Sequence, residues 1–442
     1  MKISDIRDGM NIGFFGLGRS NISLLRILPL DNAQITLRSE EKISFPLPDF
    51  GAKVTNIYEG KDAFLNINED LLILSPSVRR ERGEISEAVS RGVKISSDYE
   101  IFLAENDRPI FAVTGSDGKS TTATLTNMML CSSGRNSLLI GNIGQPLTEM
   151  LNRAEMYVCE LSSFMLRYAL PKAKRGCLTN ITPNHLNWHK DFEEYKKTKI
   201  SMLKSCSEFV ISEENCDISG AFAIVSLTSS EKELVKKYRA NLYYTLDGGW
   251  ICKNGKRLIC TEEIKIKQGH NLQNLMMAMA MTDGYCEGEG VLDVAREFEG
   301  LSHRCEKFLS FSGVDYYDSS IDSTPARTVA TLKALNRNVV VILGGQGKGL
   351  DYSALIPCLK KYAKLAVIVG ENGDEIFSTV RGELEAKICH SFEEAVGVAI
   401  EYAKDVGALV LSPASTSYDR FSDYKERGNY FKRLVKSRLN ID

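Results

Sequence analysis

The sequence predicts an α/β protein of three units, each a mostly parallel sheet covered by helices. Three observations carry this. The chain has 442 residues, and at roughly 150 residues per domain that length suits about three domains. Short, continuously apolar segments alternate with helical patterns, as in parallel sheets buried on both faces. Three times, such a segment runs straight into a glycine-bearing turn and then a helical pattern.

The first opening is Asn11–Phe15 into Gly16-Leu17-Gly18-Arg19-Ser20-Asn21. It has the start of a dinucleotide fingerprint, but Asn21 stands in place of the last glycine. The next strand, Gln34–Leu37, ends in Arg38, with Glu40 and Glu41 nearby. An acidic residue there would suit the NAD ribose, whereas an arginine suits a phosphate, so this turn reads as a cradle for a nucleotide diphosphate. The second opening is Ile110–Val113 into Gly115-Ser116-Asp117-Gly118-Lys119-Ser120-Thr121. Glycines let successive N–H groups face a polyphosphate, Lys119 supplies a point charge and Ser120 can ligate Mg²⁺. Val113 stands where the strict motif has its first glycine, so the loop is a shortened form. Leu125, Met128 and Met129 follow at the spacing of a buried helix face. The third opening is Val339–Leu343 into Gly344-Gly345-Gln346-Gly347-Lys348-Gly349. Seams fall at Glu105–Pro109 and Glu299–Arg304, giving expected domains of 1–104, 105–302 and 303–442.

Composition narrows the class. Lys plus Arg number 55 and Asp plus Glu 57, a formal net charge of −2; a near-neutral chain offers no global attraction for nucleic acid or acidic membranes. Hydrophobic residues at 43% and charged residues at 25% are ordinary globular values, which excludes disordered and fibrous classes. No apolar run approaches the roughly 18 residues of a membrane span, and Asp5 and Asp8 interrupt any signal-peptide core, so a cytoplasmic protein is expected. Eleven cysteines without a C-x-x-C pair read as reduced, mostly buried thiols. Cys389-His390 and the His185/His189 pair lack two further ligands at useful spacing, which speaks against zinc.

Other residues are suggestive only in company. Glu160 ends a second apolar strand, at the edge where ligands bind in open α/β sheets, though a glutamate there is by itself more commonly a helix-start or solvated residue. His185 lies in a polar loop and Tyr195–Lys199 in a basic helical segment, which spacing alone leaves as a solvated face. Asn271 and Asn274 share one helix face and could hydrogen-bond a purine or ribose. Met276, Met277, Met279 and Met281 on the same helix read as core.

Taken in order, these segments resemble the Mur ligase family, the ATP-dependent enzymes that build the peptide stem of bacterial cell-wall precursors. The matching stretches are Gly16–Gly18, Gly115–Thr121, Gly141-Asn142-Ile143-Gly144, Glu160–Phe164, His185, Tyr195–Lys199, His270–Asn274, Leu301–Arg304, Asp318-Ser319, Leu343–Lys348 and Leu411–Ser417. The resemblance implies a Rossmann-like N-terminal domain, a central P-loop ATPase-like domain and a Rossmann-like C-terminal domain. It implies that UDP-N-acetylmuramoyl-L-alanine is joined to D-glutamate through an acyl phosphate, in a monomer that spans no membrane and binds no nucleic acid. Lys119 and the loop Gly115, Ser116, Asp117, Gly118, Ser120, Thr121 and Thr122 would bind the ATP phosphates. Ser120 and Glu160 would hold one Mg²⁺ and His185 and Lys199 a second, with Lys199 carbamylated. Lys119, Glu160, His185 and Lys199 are thus the implied catalytic set. Asn271, Asn274, Arg304 and Asp318 would meet adenosine or the γ-phosphate. Gly18, Arg38 and Ser75 would hold UDP, with Asn142 near the peptide end of the precursor. Lys348, Ser417 and Tyr424 would receive the amino acid, and the domains would close over the reactants to exclude water.

Five positions depart from the family pattern. Ser320 and Gln346 stand where relatives carry Lys and Asp, Met165 where a Gln is found, Asn184 where an acidic residue precedes the metal-site His, and Ser77 where a Gly is found. The competing readings are a Mur-type ligase for another amino acid, a folylpolyglutamate synthetase-like ligase, an inactive precursor-binding protein and an NAD-dependent dehydrogenase using the first glycine turn, which explains nothing after residue 110. The first domain argues against the synthetase; Lys119, Glu160, His185 and Lys199 argue against inactivity.

Overall fold

The computed structural model describes residues 1–442 apart from 8, 31, 41–42, 44–52, 186–187, 216, 268, 287, 348–349 and 442. The chain forms two compact units, Met1–Phe298 and Glu299–Asp442. The first holds two sheets and the second one.

The first sheet comprises β1 (Asn11–Phe15), β2 (Gln34–Ser39), β3 (Lys53–Glu59), β4 (Leu71–Leu74) and β5 (Lys94–Ser96), in the order β3-β2-β1-β4-β5, all parallel. The chain winds outward from β1 to one side and then returns to β4 on the other. This leaves a crevice beyond the carboxyl ends of β1 and β4, where ligands settle in such sheets. Ile12, Phe14, Leu71 and Ile73 are wholly buried between helices, which accounts for the continuous apolar runs.

The second sheet comprises β6 (Ile110–Thr114), β7 (Ser137–Gly141), β8 (Met156–Glu160), β9 (Arg175–Leu178), β10 (Glu208–Ser212), β11 (Ala223–Ser226), β12 (Leu242–Asp247), β13 (Trp250–Lys253) and β14 (Lys256–Cys260). Their order is β14-β13-β12-β11-β10-β9-β6-β8-β7. It is parallel from β7 to β12 and turns antiparallel for the last two strands. The helix Lys119–Ser132 packs on the helix Gly269–Thr282, whose four methionines are all buried, as expected of core. Leu125 and Met129 are buried too, but Met128 is 37% exposed: one residue, or about 100° of helix, turns it off the packed face.

In the second unit, β15 (Glu306–Phe311), β16 (Val314–Asp318), β17 (Val339–Leu343), β18 (Ala363–Ile368), β19 (Ala386–Ile388) and β20 (Ala408–Leu411) run in the order β15-β16-β20-β17-β18-β19. All neighbours are parallel except β15 with β16. Among the described residues no helix is long and apolar enough to cross a membrane.

Candidate active site

The lysine loop joins β6 to the helix Lys119–Ser132. Gly118 (φ 77°) caps that helix in the left-handed region, and a Cβ there would overlap the Asn274 amide. Gly115 is equally constrained, since its Cβ would overlap Thr179 Oγ1. The loop is strapped to the segment after β9. Ser116 N donates to Asn180 O (2.9 Å), Ser116 Oγ to Thr182 O (2.9 Å) and Asp117 N to Asn180 Oδ1 (2.8 Å). Thr179 Oγ1 donates to Asp117 O (2.5 Å), and Tyr195 OH lies 2.9 Å from Ser116 Oγ. Lys119 Nζ turns back onto Ser116 O (2.6 Å). Ser120, Thr121 and Thr122 follow, buried, in the first helical turn, where unpaired N–H groups and the helix dipole favour an anion. Asn274 is buried and accepts from Thr122 Oγ1 (3.4 Å), with Asn271 half-buried one turn earlier.

Glu160 is wholly buried at the end of β8, in register with Val113 of β6 and Gly141 of β7. Asn142 Nδ2 donates to its Oε1 (2.6 Å), and Asn142 N to its main-chain oxygen (2.9 Å). Its Oε2 is buried with no hydrogen-bond partner among the described residues. A carboxylate oxygen left this way is costly unless a cation meets it. With the Ser120 hydroxyl at the start of the helix after the neighbouring strand, the donors are hard oxygens of the kind that suit Mg²⁺.

Lys199 lies in the helix Phe192–Lys204, which Asp191 caps by accepting from Glu194 N. The residue is 1% exposed; its Nζ donates to Thr114 Oγ1 (3.3 Å) and sits 4.8 Å over the Tyr195 ring. Burial, and then the charge of Lys119, push its amine well below the ordinary lysine range against the pull of Glu160 and Asp117. His185 is exposed on a left-handed turn (φ 55°); Asn184 Oδ1 accepts from its N–H (2.8 Å), and its ring meets Phe164 edge-on at 5.0 Å. The side chain of Asn184 thus supports the turn that presents His185.

At the first sheet's crevice, Gly18 and Ser75 face one another: a Cβ on Gly18 would lie 3.6 Å from Ser75 Oγ. Asn21 occupies the missing glycine's place by supporting the turn from beneath, donating to Phe15 O, Gly16 O and Ile73 O. Arg38 is a correction. Expected at the phosphate, it is 2% exposed and points inward. Its guanidinium pairs with Glu69 (2.7 Å) and donates to Ala63 O (2.8 Å), Leu65 O (2.8 Å) and Asn66 O (3.2 Å). Its N–H groups are engaged by the protein, which makes it an anchor for the 63–69 loop.

In the second unit, Asp318 is wholly buried; its Oδ1 accepts from Ser320 N (2.9 Å) and its Oδ2 lies 2.7 Å from His303 Nδ1. Tyr424, expected at the amino acid, opens the last helix and meets His303 edge-on at 5.9 Å. The structure thereby gathers Asp318 and Tyr424 around His303, with Arg304 half-buried beside it in sequence. His303, Glu306 and Asp318 lie close enough together to ligate one metal ion, but Lys432 Nζ lies 2.5 Å from Glu306 and 3.5 Å from Asp318 and supplies the positive charge. Ser417 is buried, and its carbonyl accepts from Arg420 and Phe421 N–H. Lys348 lies outside the described residues. Arg427, which local spacing did not single out, is 2% exposed; it donates to Ser320 Oγ (3.0 Å), Ser320 O, Thr416 O and Ser415 O. Ser320 is occupied as its partner.

Residues 113–282 match the Mur ligase middle domain, and residues 303–415 match the Mur ligase, glutamate ligase domain. The chain is 33% identical over 458 aligned residues to the UDP-N-acetylmuramoylalanine--D-glutamate ligase of Clostridium botulinum (strain 657 / Type Ba4), covering 99% of this chain and 98% of that one. It is 31% identical over 455 residues to the enzyme of the same name from Ruminiclostridium cellulolyticum, covering 96% of each. Among solved structures, UDP-N-acetylmuramate-alanine ligase from Thermotoga maritima aligns with TM-score 0.59 at 18% identity over 98% of this chain and 99% of that one. A pseudomurein peptide ligase type C from Methanothermus fervidus gives 0.55 at 15% identity, over 98% and 100%. At those identities the solved structures speak to the fold alone.

Proposed function

The chain belongs to the Mur ligase family, and on that premise we propose that it joins D-glutamate to UDP-N-acetylmuramoyl-L-alanine at the expense of ATP, through an acyl phosphate, in peptidoglycan precursor synthesis. One observation carries the reading: on Glu160, a buried carboxylate oxygen without a hydrogen-bond partner among the described residues, in register with the strand that feeds the Lys119 loop. That pairing of an anion-binding loop with a cation-seeking carboxylate suits a metal–nucleotide and has little use in a protein that only holds a precursor.

Magnesium, when bound, neutralises charge on the transferring phosphoryl group. Ser120 and Glu160 would hold it. His185 and Lys199 would hold a second ion, with Lys199 as its carbamate: a neutral amine adds to CO2, releases one proton and becomes an anionic ligand. The depressed basicity of Lys199 supports this by shifting the amine toward its neutral form. In the transfer, Lys119 leaves Ser116 O for the phosphates, and the loop N–H groups hold the leaving nucleotide. A free carboxylate is a poor acyl donor. Its oxygen takes the γ-phosphoryl group as ADP leaves, the amine nitrogen of D-glutamate attacks the carbonyl carbon of the resulting mixed anhydride, the C–O bond to phosphate breaks, phosphate leaves, and the amine proton is lost as the amide forms. Gly18 and Ser75 would line the UDP crevice, and Asn142 would lie beside the precursor's peptide end while holding Glu160. We assign the chain to the bacterial cytoplasm as a monomer.

The test is phosphate release from Mg-ATP with UDP-N-acetylmuramoyl-L-alanine and D-Glu, L-Glu or other amino acids offered separately. Release requiring both the precursor and D-Glu is expected. Release with another amino acid only would overturn the D-glutamate assignment, and no release with any pair would overturn the ligase.

A further inference from the structure

Arg19 is the first residue of the helix that follows Gly16-Leu17-Gly18 in the first sheet. Its guanidinium reaches the loop after β7 in the second sheet and donates to Gly141 O (2.8 Å), Gly144 O (3.0 Å) and Asn142 O (3.3 Å). That loop is the one whose Asn142 holds Glu160 by side chain and main chain. Gly141 and Gly144 have positive φ, and a Cβ on either would run into the backbone of Glu160 or Leu139, so the loop has little room to adjust by itself. The contacts therefore run without a gap from the glycine turn through Arg19 and the 141–144 carbonyls to Asn142 and Glu160.

We infer that Arg19 is a positioning residue that couples occupancy of the glycine turn by a nucleotide diphosphate to the placement of the Glu160 carboxylate for a divalent cation. The inference rests on the functional reading above and adds a residue to which that reading gives no role. Its chemistry suits the task. A planar guanidinium meets several carbonyls in a fixed fork, so a shift of the turn is passed on as a shift of the loop, which a flexible lysine would transmit only in part. Nearby, Ser23 of the same helix donates to Glu149 (2.9 Å). This second contact between the two sheets does not lead to Glu160, and it supplies the control.

Coupling between two sites is reciprocal and can be read from either one. The experiment is calorimetry on the full-length protein: affinity for UDP with and without Mg²⁺ plus a non-hydrolysable ATP analogue. Mn²⁺ binding, followed by its paramagnetic resonance with and without UDP, reads the same coupling from the metal side. In the wild type each ligand is expected to tighten the other by roughly tenfold, within the usual range of such couplings. Arg19→Ala brings that factor to about one while UDP alone binds within roughly twofold of wild type, Arg19→Lys restores only part, and Ser23→Ala keeps it whole. Four results would overturn the inference: wild type binding both ligands without coupling, Arg19→Ala retaining the factor, Ser23→Ala losing it equally, or Arg19→Ala weakening UDP alone, which would make Arg19 a phosphate ligand. Wild type binding neither UDP nor the metal nucleotide would overturn the functional reading itself.

Discussion

Gly118→Ala is the sharpest probe of the lysine loop, because the structure assigns two separable costs to one methyl group. The first is conformational: at φ 77° an L-residue is disfavoured by about 1–2 kcal/mol. The second is steric: the methyl would overlap the Asn274 amide, which is buried against Thr122 Oγ1. Displacing that amide forfeits a hydrogen bond of about 1 kcal/mol. If the loop meets both costs by relaxing out of its anion-binding curl, about 2–3 kcal/mol is charged to nucleotide affinity, a loss of roughly 30- to 150-fold. Asn274→Ala alone loses only the amide's own contacts, about 1 kcal/mol or some fivefold. The double variant no longer contains the overlap, so it is expected to bind no more weakly than Gly118→Ala by itself. Calorimetric titration with a non-hydrolysable Mg–ATP analogue measures all four proteins. Strictly additive losses, or a Gly118→Ala protein with wild-type affinity, would refute the assignment of Asn274 as the obstacle.

Three further outcomes follow from side chains described above. Arg38→Met strands Glu69 in the interior and lowers stability by about 3–5 kcal/mol, whereas Arg38→Met/Glu69→Met recovers most of it; thermal melts decide, and a raised KM for the precursor with unchanged melting would restore Arg38 to the phosphate site. Lys199→Met abolishes ligation and, in bicarbonate-free buffer, changes the pH dependence of stability. The folded amine has a depressed pKa, so the unfolded chain binds more protons up to the ordinary lysine value of 10.5, and wild-type stability climbs with pH through that window. The variant lacks the climb, and its advantage in melts is greatest below the window and gone above it. Arg427→Lys leaves Ser320, Ser415 and Thr416 acceptors that an ammonium cannot reach together, and the second unit loses about 3 kcal/mol in melts or denaturant unfolding.

The parts of this architecture that were legible in the sequence are those set by neighbours along the chain. Apolar strands entering glycine turns fell on β1, β6 and β17 because burial on both faces and a positive φ each leave a local trace in composition. Glu160 was legible as a strand end, but the lack of a hydrogen-bond partner for its Oε2 among the described residues was not, since that depends on what β6 and β7 bring alongside. Arg38 was misplaced for the same reason. The residue that claims it, Glu69, arrives from beyond β3, and no spacing rule near Arg38 announces a carboxylate there. Arg427 and Ser320 are 107 positions apart, so the buried contact that the serine makes left no local trace beside its departure from the family pattern. Arg19 belongs to the glycine turn by sequence, and its acceptors lie more than 120 positions away, at the end of β7 and in the loop after it.

The register of the second sheet has a consequence for how such a protein can change over time. Glu160 sits opposite Val113 and Gly141 in two parallel ladders at once. Side chains alternate along a strand, so inserting or deleting a single residue in β8 would turn the carboxylate to the opposite face of the sheet, and a slip in β6 would move the lysine loop by the same step. Small point changes are open to these strands, but indels are not. The strands that carry the lysine loop and Glu160 must therefore be inherited as a block. Novelty in what is joined to what has to enter through segments outside the ladder, where length is free to vary without disturbing the chemistry.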